Sequence, residues 1–157
     1  MEIKVLFVCL GNICRSPLAE AIFNQKVEKA GLNTKIKADS AGTANYHVGE
    51  DPDPRTVEIS LKHGTPIDHK GQQFKKHHQN SFDYLLAMDQ SNFFNMVQEM
   101  DENPPSLMKM RDFDPNGKGQ DVLDPWFGGM NGFENVYQIL DRSLDSFLAF
   151  LKEKHEL

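Results

Sequence analysis

The chain has 157 residues, with 17 Lys and Arg against 23 Asp and Glu for a formal net charge of −6. That length suits one domain with a sizeable core, and an acidic balance without a basic cluster speaks against a nucleic-acid partner. No apolar run approaches the ~20 residues that span a membrane, the first apolar run lacks the cleavage site of a signal peptide, and two cysteines are no disulfide framework, so a cytoplasmic location is expected.

Ile3, Val5, Leu6, Phe7 and Val8 form a short apolar, β-branched run that reads as a buried strand. Ser16 suits a helix N-cap and Pro17 a first helical position, where its missing N–H costs nothing. The helix then runs over 17–30 on Leu18, Ile22 and Val27, with Gly31 as its stop. Residues 35–39 alternate as an outer strand, and Pro54 to Leu61 reads as a helix ending near Gly64. A second buried strand covers 83–88, followed by a helix from about Gln90 to Met100 and a weaker strand from Leu107 to Arg111. From about Gly132 to Lys154, Phe133, Val136, Tyr137, Leu140, Leu144, Phe147, Leu148 and Leu151 recur at helical spacing, giving a long amphipathic helix. Strands alternating with helices imply right-handed crossovers. The expected fold is a single α/β domain of three layers, a parallel sheet covered on both faces.

The most informative stretch is Val8-Cys9-Leu10-Gly11-Asn12-Ile13-Cys14-Arg15-Ser16-Pro17. A strand, a tight loop and a helix start direct backbone N–H groups and the positive helix end at one point, which is how proteins hold phosphate. Cys9 stands where that anion would sit, so the same field favours its thiolate and makes it a nucleophile. Arg15 adds a planar fork matched to phosphate oxygens. The alternatives are a small buried hydrophobe at Cys9 or a metal site. Cys9 and Cys14 supply only two of the four ligands that a structural zinc usually takes, and His77 and His78 are more simply solvated.

This stretch resembles the phosphate-binding loop of the low-molecular-weight protein tyrosine phosphatases, V-C-x-G-N-x-C-R-S-P, at every fixed position. Further segments resemble that family in order: Asp39 to Thr43, Gly49 to Arg55, Leu86 to Asp89, the Asp124-Pro125 loop with its aromatic pair and Gly128-Gly129, and Phe133 to Tyr137. The resemblance implies a four-stranded parallel sheet with the phosphate-binding loop after the first strand, in a single family domain over 1–157. It implies hydrolysis of phosphotyrosine through a phosphocysteine, without metal or cofactor. Cys9, Arg15 and Asp124 would be catalytic, and Leu10, Gly11, Asn12, Ile13, Cys14, Arg15 and Ser16 would cradle the phosphate. Asn12, Ser16, Ser40 and His69 would brace the loop, Ser16 turning its hydroxyl to the sulfur. Read alone, Asn12 tolerates a left-handed turn, and a histidine between Asp68 and Lys70 is an exposed loop residue.

Leaving-group protonation and water activation call for a carboxyl group. Asp-Pro occurs at 51, 53, 114 and 124, so the dipeptide itself decides nothing. Asp124 is distinguished by its aromatic and glycine neighbours on the C-terminal side of the sheet; Asp114 is the runner-up, and Asp89 reads as a structural acceptor. Tyr46, Trp126 and Phe127 would wall a cleft deep enough to favour a tyrosyl ring. Neither Trp126 nor Phe127 is the tyrosine that the family often carries there. Partners implied are phosphotyrosine-containing proteins and a cognate tyrosine kinase, met by a monomer. Cys14 would be the redox partner of Cys9. Phosphoarginine hydrolysis is the alternative substrate reading, against which Ile13 stands where arginine-directed relatives carry threonine. Arsenate reduction would need further cysteines, and a non-catalytic phosphotyrosine-binding redox module would not need Asp124.

Overall fold

A computed structural model describes residues 2–126 and 129–157. Four parallel strands, β1 (Ile3–Cys9), β2 (Ile36–Gly42), β3 (Tyr84–Ala87) and β4 (Leu107–Lys109), lie in the order β2-β1-β3-β4. The helices are α1 (Arg15–Lys29), α2 (Pro54–Lys62), α3 (His78–Ser81), α4 (Gln90–Met100) and α5 (Gly129–Lys154), with a 3-10 turn over Met110–Phe113.

Alternation in β1 divides the core. Ile3, Val5, Phe7 and Cys9 face the side where Phe23 of α1 and Phe133, Leu140 and Phe147 of α5 are buried. Leu6 and Val8 face Leu85, Ala87, Phe74 and Met96 and Met100 of α4. A strand buried on both faces needs this near-continuous apolar run, and the expected three layers follow. Phe23 stands at 5.6 Å from Phe7 and 5.4 Å from Phe147, tying β1, α1 and α5 into one aromatic stack.

Besides end shifts such as β3 covering only Tyr84–Ala87 and α5 beginning at Gly129, three boundaries differ from the sequence reading. The second strand extends to Gly42, because β1 pairs with it residue for residue from Ile3↔Ile36 to Cys9↔Gly42. The fourth strand stops at Lys109 and turns into the 3-10 segment, where Asp112 accepts from the Lys109 N–H. The first helix begins at Arg15, so Ser16 is not its N-cap; Cys14 is, and it makes no side-chain cap. Pro17 still falls in the first turn, where its missing N–H breaks no helical bond. His78 is also not solvated: it is buried, stacks on Phe74 at 5.5 Å and meets the Lys75 N–H through Nδ1, whereas His77 is exposed. Burial, then the neighbouring His77, holds the His78 ring below the usual histidine range.

Candidate active site

Cys9 ends β1, and the loop from Leu10 to Cys14 returns the chain into α1. The β2 edge fixes this loop, since Thr43 N–H donates to Cys9 O at 2.9 Å and Ala44 N–H to Leu10 O at 3.0 Å. Gly42 is required beneath it, because a Cβ there would stand 2.7 Å from Leu10 O. Asn12 turns the loop at φ 59°, left-handed backbone that asparagine accepts more readily than most residues.

The same Asn12 side chain braces the loop. Its Nδ2 donates to Ser16 Oγ at 2.8 Å and Ser40 Oγ at 3.0 Å. Its Oδ1 accepts the Gln72 N–H at 2.9 Å and faces His69 Nε2 at 2.7 Å. On the other side of the imidazole, Nδ1 faces Glu20 Oε1 at 3.1 Å, and Ser40 Oγ donates to the same oxygen at 2.8 Å. His69 is therefore a mostly buried network residue, as the resemblance implies, and not the exposed loop residue of the unaided reading. Glu20 was missed; its signal was the four-residue spacing from Ser16, which puts both on one face of α1. At the inner end of the network Ser16 Oγ lies 3.0 Å from Cys9 Sγ.

Arg15 is buried in the first turn of α1. Its Nη1 donates to Asp89 Oδ2 at 2.7 Å and to Val122 O at 2.8 Å. Burial opposes its charge, but Cys9 first, then Asp89 and Asp124, hold the guanidinium firmly protonated. Asp89 also caps α4 by accepting the Asn92 N–H at 2.7 Å, the structural acceptor expected. Asp114 is no cleft residue: it is 1% exposed and is gripped by Arg111 Nε at 2.9 Å and Arg142 Nε at 2.8 Å. Burial pushes its carboxyl up, but Arg142, the Asn116 N–H and Arg111 prevail and hold it below the usual range.

A cleft of about 250 Å³ opens over this loop, lined among others by Cys9, Ile13, Arg15, Tyr46, Asp124 and Trp126. Cys9, 2% exposed, forms its floor, and Tyr46 and Trp126, 69% and 38% exposed, stand at its mouth. Asp124 projects Oδ2 to 3.7 Å from Arg15 Nη2, while its Oδ1 accepts the Trp126 N–H at 3.0 Å. The expected third wall, Phe127, lies outside the described residues. The sequence reading missed His47, a further lining residue whose ring lies 6.1 Å from that of Trp126. Gly11 makes room for it, since a Cβ there would meet His47 Cδ2 at 3.0 Å. Cys14, the last loop residue, is buried and also lines the cleft; burial first, then Asp53 and Cys9, pushes its thiol up to about 12.

The model of the family described as "Low molecular weight phosphotyrosine protein phosphatase" matches residues 4–157. The chain is 48% identical over 143 residues to the Saccharomyces cerevisiae low molecular weight phosphotyrosine protein phosphatase, covering 88% of this chain and 89% of that one. The crystal structure of YfkJ from Bacillus subtilis superposes with a TM-score of 0.92 at 37% identity, over 98% of this chain and 97% of that one. A drosophila arginine phosphatase, DARP, superposes at 0.88 with 34% identity, over 96% and 98%. On this match in sequence and fold, the chain belongs to the low molecular weight phosphotyrosine protein phosphatase family.

Proposed function

We propose that this chain hydrolyses phosphotyrosine in proteins through a phosphocysteine formed on Cys9. The observation that carries the reading is the placement of Cys9 on the floor of a narrow cleft, below Tyr46 and Trp126 and beside a fixed arginine. A phosphotyrosine ring can stack between those aromatic walls while its phosphate reaches the sulfur. The longer tyrosyl side chain should therefore be favoured over phosphoserine.

In the first step the Cys9 thiolate attacks phosphorus, and the S–P bond forms as the bond to the tyrosyl oxygen breaks. Asp124, as the carboxylic acid, gives its proton to the departing oxygen. Arg15 contributes Nη2 toward the cleft, its Nη1 being occupied by Asp89 and Val122 O, and loop N–H groups share the charge of the transferring phosphoryl. In the second step the Asp124 carboxylate takes a proton from water, the water oxygen attacks phosphorus, and the S–P bond breaks. The thiolate then leaves toward the Ser16 hydroxyl, 3.0 Å away. No step calls for a metal or cofactor.

One comparison favours a second substrate, phosphoarginine, since the drosophila arginine phosphatase shares this fold at 34% identity. The apolar Ile13 wall weighs against it, because a guanidinium entering there would lose hydrogen bonds to water without replacement. Turnover of phosphotyrosine, phosphoserine and phosphoarginine peptides, with and without chelator, tests the proposal. Phosphotyrosine should be the best substrate, chelator should have no effect, and vanadate should compete. Preferential release of phosphate from phosphoarginine would overturn the substrate assignment.

A further inference from the structure

Arg55 joins the phosphate-binding loop to the loop that carries Asp124, two segments far apart in the chain. Its origin is firm: the Asp53 N–H donates to Ile13 O at 2.8 Å, so the start of α2 is pinned to the loop. The Asp53 carboxylate caps α2 by accepting the Arg55 N–H at 2.8 Å, and also accepts Arg55 Nε at 3.1 Å and Nη2 at 3.0 Å. That two-point pair orients the guanidinium plane. The third nitrogen, Nη1, donates to Trp126 O at 2.9 Å. The guanidinium carbon stands 5.2 Å from the Trp126 ring centroid and 4.6 Å from that of Phe133, gripping the loop from its aromatic side as well. The Trp126 N–H in turn holds Asp124 Oδ1 at 3.0 Å. An unbroken series of contacts thus runs from Ile13 through Asp53, Arg55 and Trp126 to Asp124.

We propose that Arg55 is the positioning residue that sets the Asp124 carboxyl over Cys9. The proposal rests on the reading of Asp124 as the proton donor. Asp124 itself is half exposed and, among the described residues, makes only a local turn contact and a 3.7 Å approach to Arg15, so its placement depends on what holds Trp126. The Asp53–Arg55 pair supplies that hold from a segment fixed to the nucleophile's own loop, so donor and nucleophile share one frame. Among the described residues Arg55 does not line the cleft, and it reaches Asp124 through Trp126.

The test is kcat/KM over a series of aryl phosphates from acidic nitrophenols to phenol, with phosphotyrosine included. This quantity reports steps through departure of the leaving group. Arg55→Met keeps the apolar contacts and removes every donor. It should lower kcat/KM about tenfold for phenyl phosphate and phosphotyrosine, leave the most acidic phenols within about twofold, and leave vanadate inhibition unchanged. Placed on Asp124→Asn, it should add nothing, because it acts through the missing acid. Arg55→Lys should fall between, and carries the same series if Arg55→Met does not fold. A uniform loss across leaving groups, or a full additional loss on Asp124→Asn, would show Arg55 to be merely structural. If Asp124→Asn itself leaves the leaving-group dependence unchanged, the acid assignment falls and takes this proposal with it. If Asp124→Asn steepens it while Arg55→Met follows the wild type, only the Arg55 proposal falls.

Discussion

Ser16 Oγ lies 3.0 Å from Cys9 Sγ, and Asn12 Nδ2 donates to the same hydroxyl oxygen at 2.8 Å. With Asn12 donating to the Ser16 oxygen, the hydroxyl proton has two acceptors in reach, Ala41 O at 3.4 Å and the sulfur at 3.0 Å, and it serves the sulfur when that is a thiolate. Hydrogen bonds to a charged partner contribute roughly 1.5–3 kcal/mol. Ser16→Ala should therefore lower kcat about ten- to hundredfold, chiefly by slowing breakdown of the phosphocysteine. Burst kinetics with an acidic phenol would check this: the burst should survive and the steady phase slow. A steady rate equal to wild type would remove Ser16 from the mechanism.

Asp114→Asn should leave the leaving-group dependence untouched and destabilise the fold by about 2–4 kcal/mol. The cost lies at the lower end for a broken buried pair, since the 32% exposed Arg142 regains water. The folded-state carboxyl is held below its usual value, so its contribution is present above about pH 4 and is lost as pH falls through and below that value. Glu134, drawn down to about 2 by Lys62, then Gln138 and His63, loses stability over the window from its usual range toward pH 2. Denaturant midpoints from pH 7 to 2.5 should show a steeper acid loss in wild type than in Asp114→Asn. Parallel curves would contradict the assignment.

Ile13→Thr should raise relative activity on phosphoarginine by adding a hydroxyl to the cleft wall. A single pocket contact is worth about 1–3 kcal/mol, so the change in the ratio of kcat/KM values should stay near ten- to hundredfold. An unchanged ratio would show that this side chain does not select the substrate.

Mild peroxide should inactivate the enzyme in a way that dithiol reverses. The Cys9 thiolate is oxidised to a sulfenic acid, and the Cys14 sulfur then displaces water from it to form a disulfide. Because burial and Asp53 hold the Cys14 thiol well up, disulfide closure should be slow at neutral pH and quicken as pH rises. Cys14→Ser should keep phosphatase activity and lose recovery. Sulfinic acid at Cys9 beside a free Cys14 thiol, found by mass spectrometry of the oxidised wild type, would rule the switch out.

The strand, loop and helix around Cys9 were legible because local signals agree there: an apolar run, a tight loop and a helix-compatible proline lie within the fifteen residues from Ile3 to Pro17. The start of α1 was misplaced because Ser16-Pro17 imitates a capped start, whereas the serine hydroxyl is directed to sulfur and loop instead. His78 was misjudged because its lysine- and histidine-rich neighbours are polar, while the aromatic surfaces of Phe74 and Phe82 that bury it act only in three dimensions. Glu20, His47 and Arg55 escaped for a related reason. Each gains its meaning from a partner that the fold delivers, such as Trp126, 71 residues from Arg55.

The central claim is that Cys9 carries the phosphoryl group between the two steps. Denaturant quenching at alkaline pH during turnover of an excess of labelled phosphotyrosine peptide, followed by peptide mapping at alkaline pH, tests it most directly. Alkali-stable label should appear on the peptide holding Cys9 and be absent in Cys9→Ala, and Cys9→Ser should lose turnover while its fold and phosphate binding persist. Label on another residue, or substantial turnover by highly purified Cys9→Ser, would contradict it.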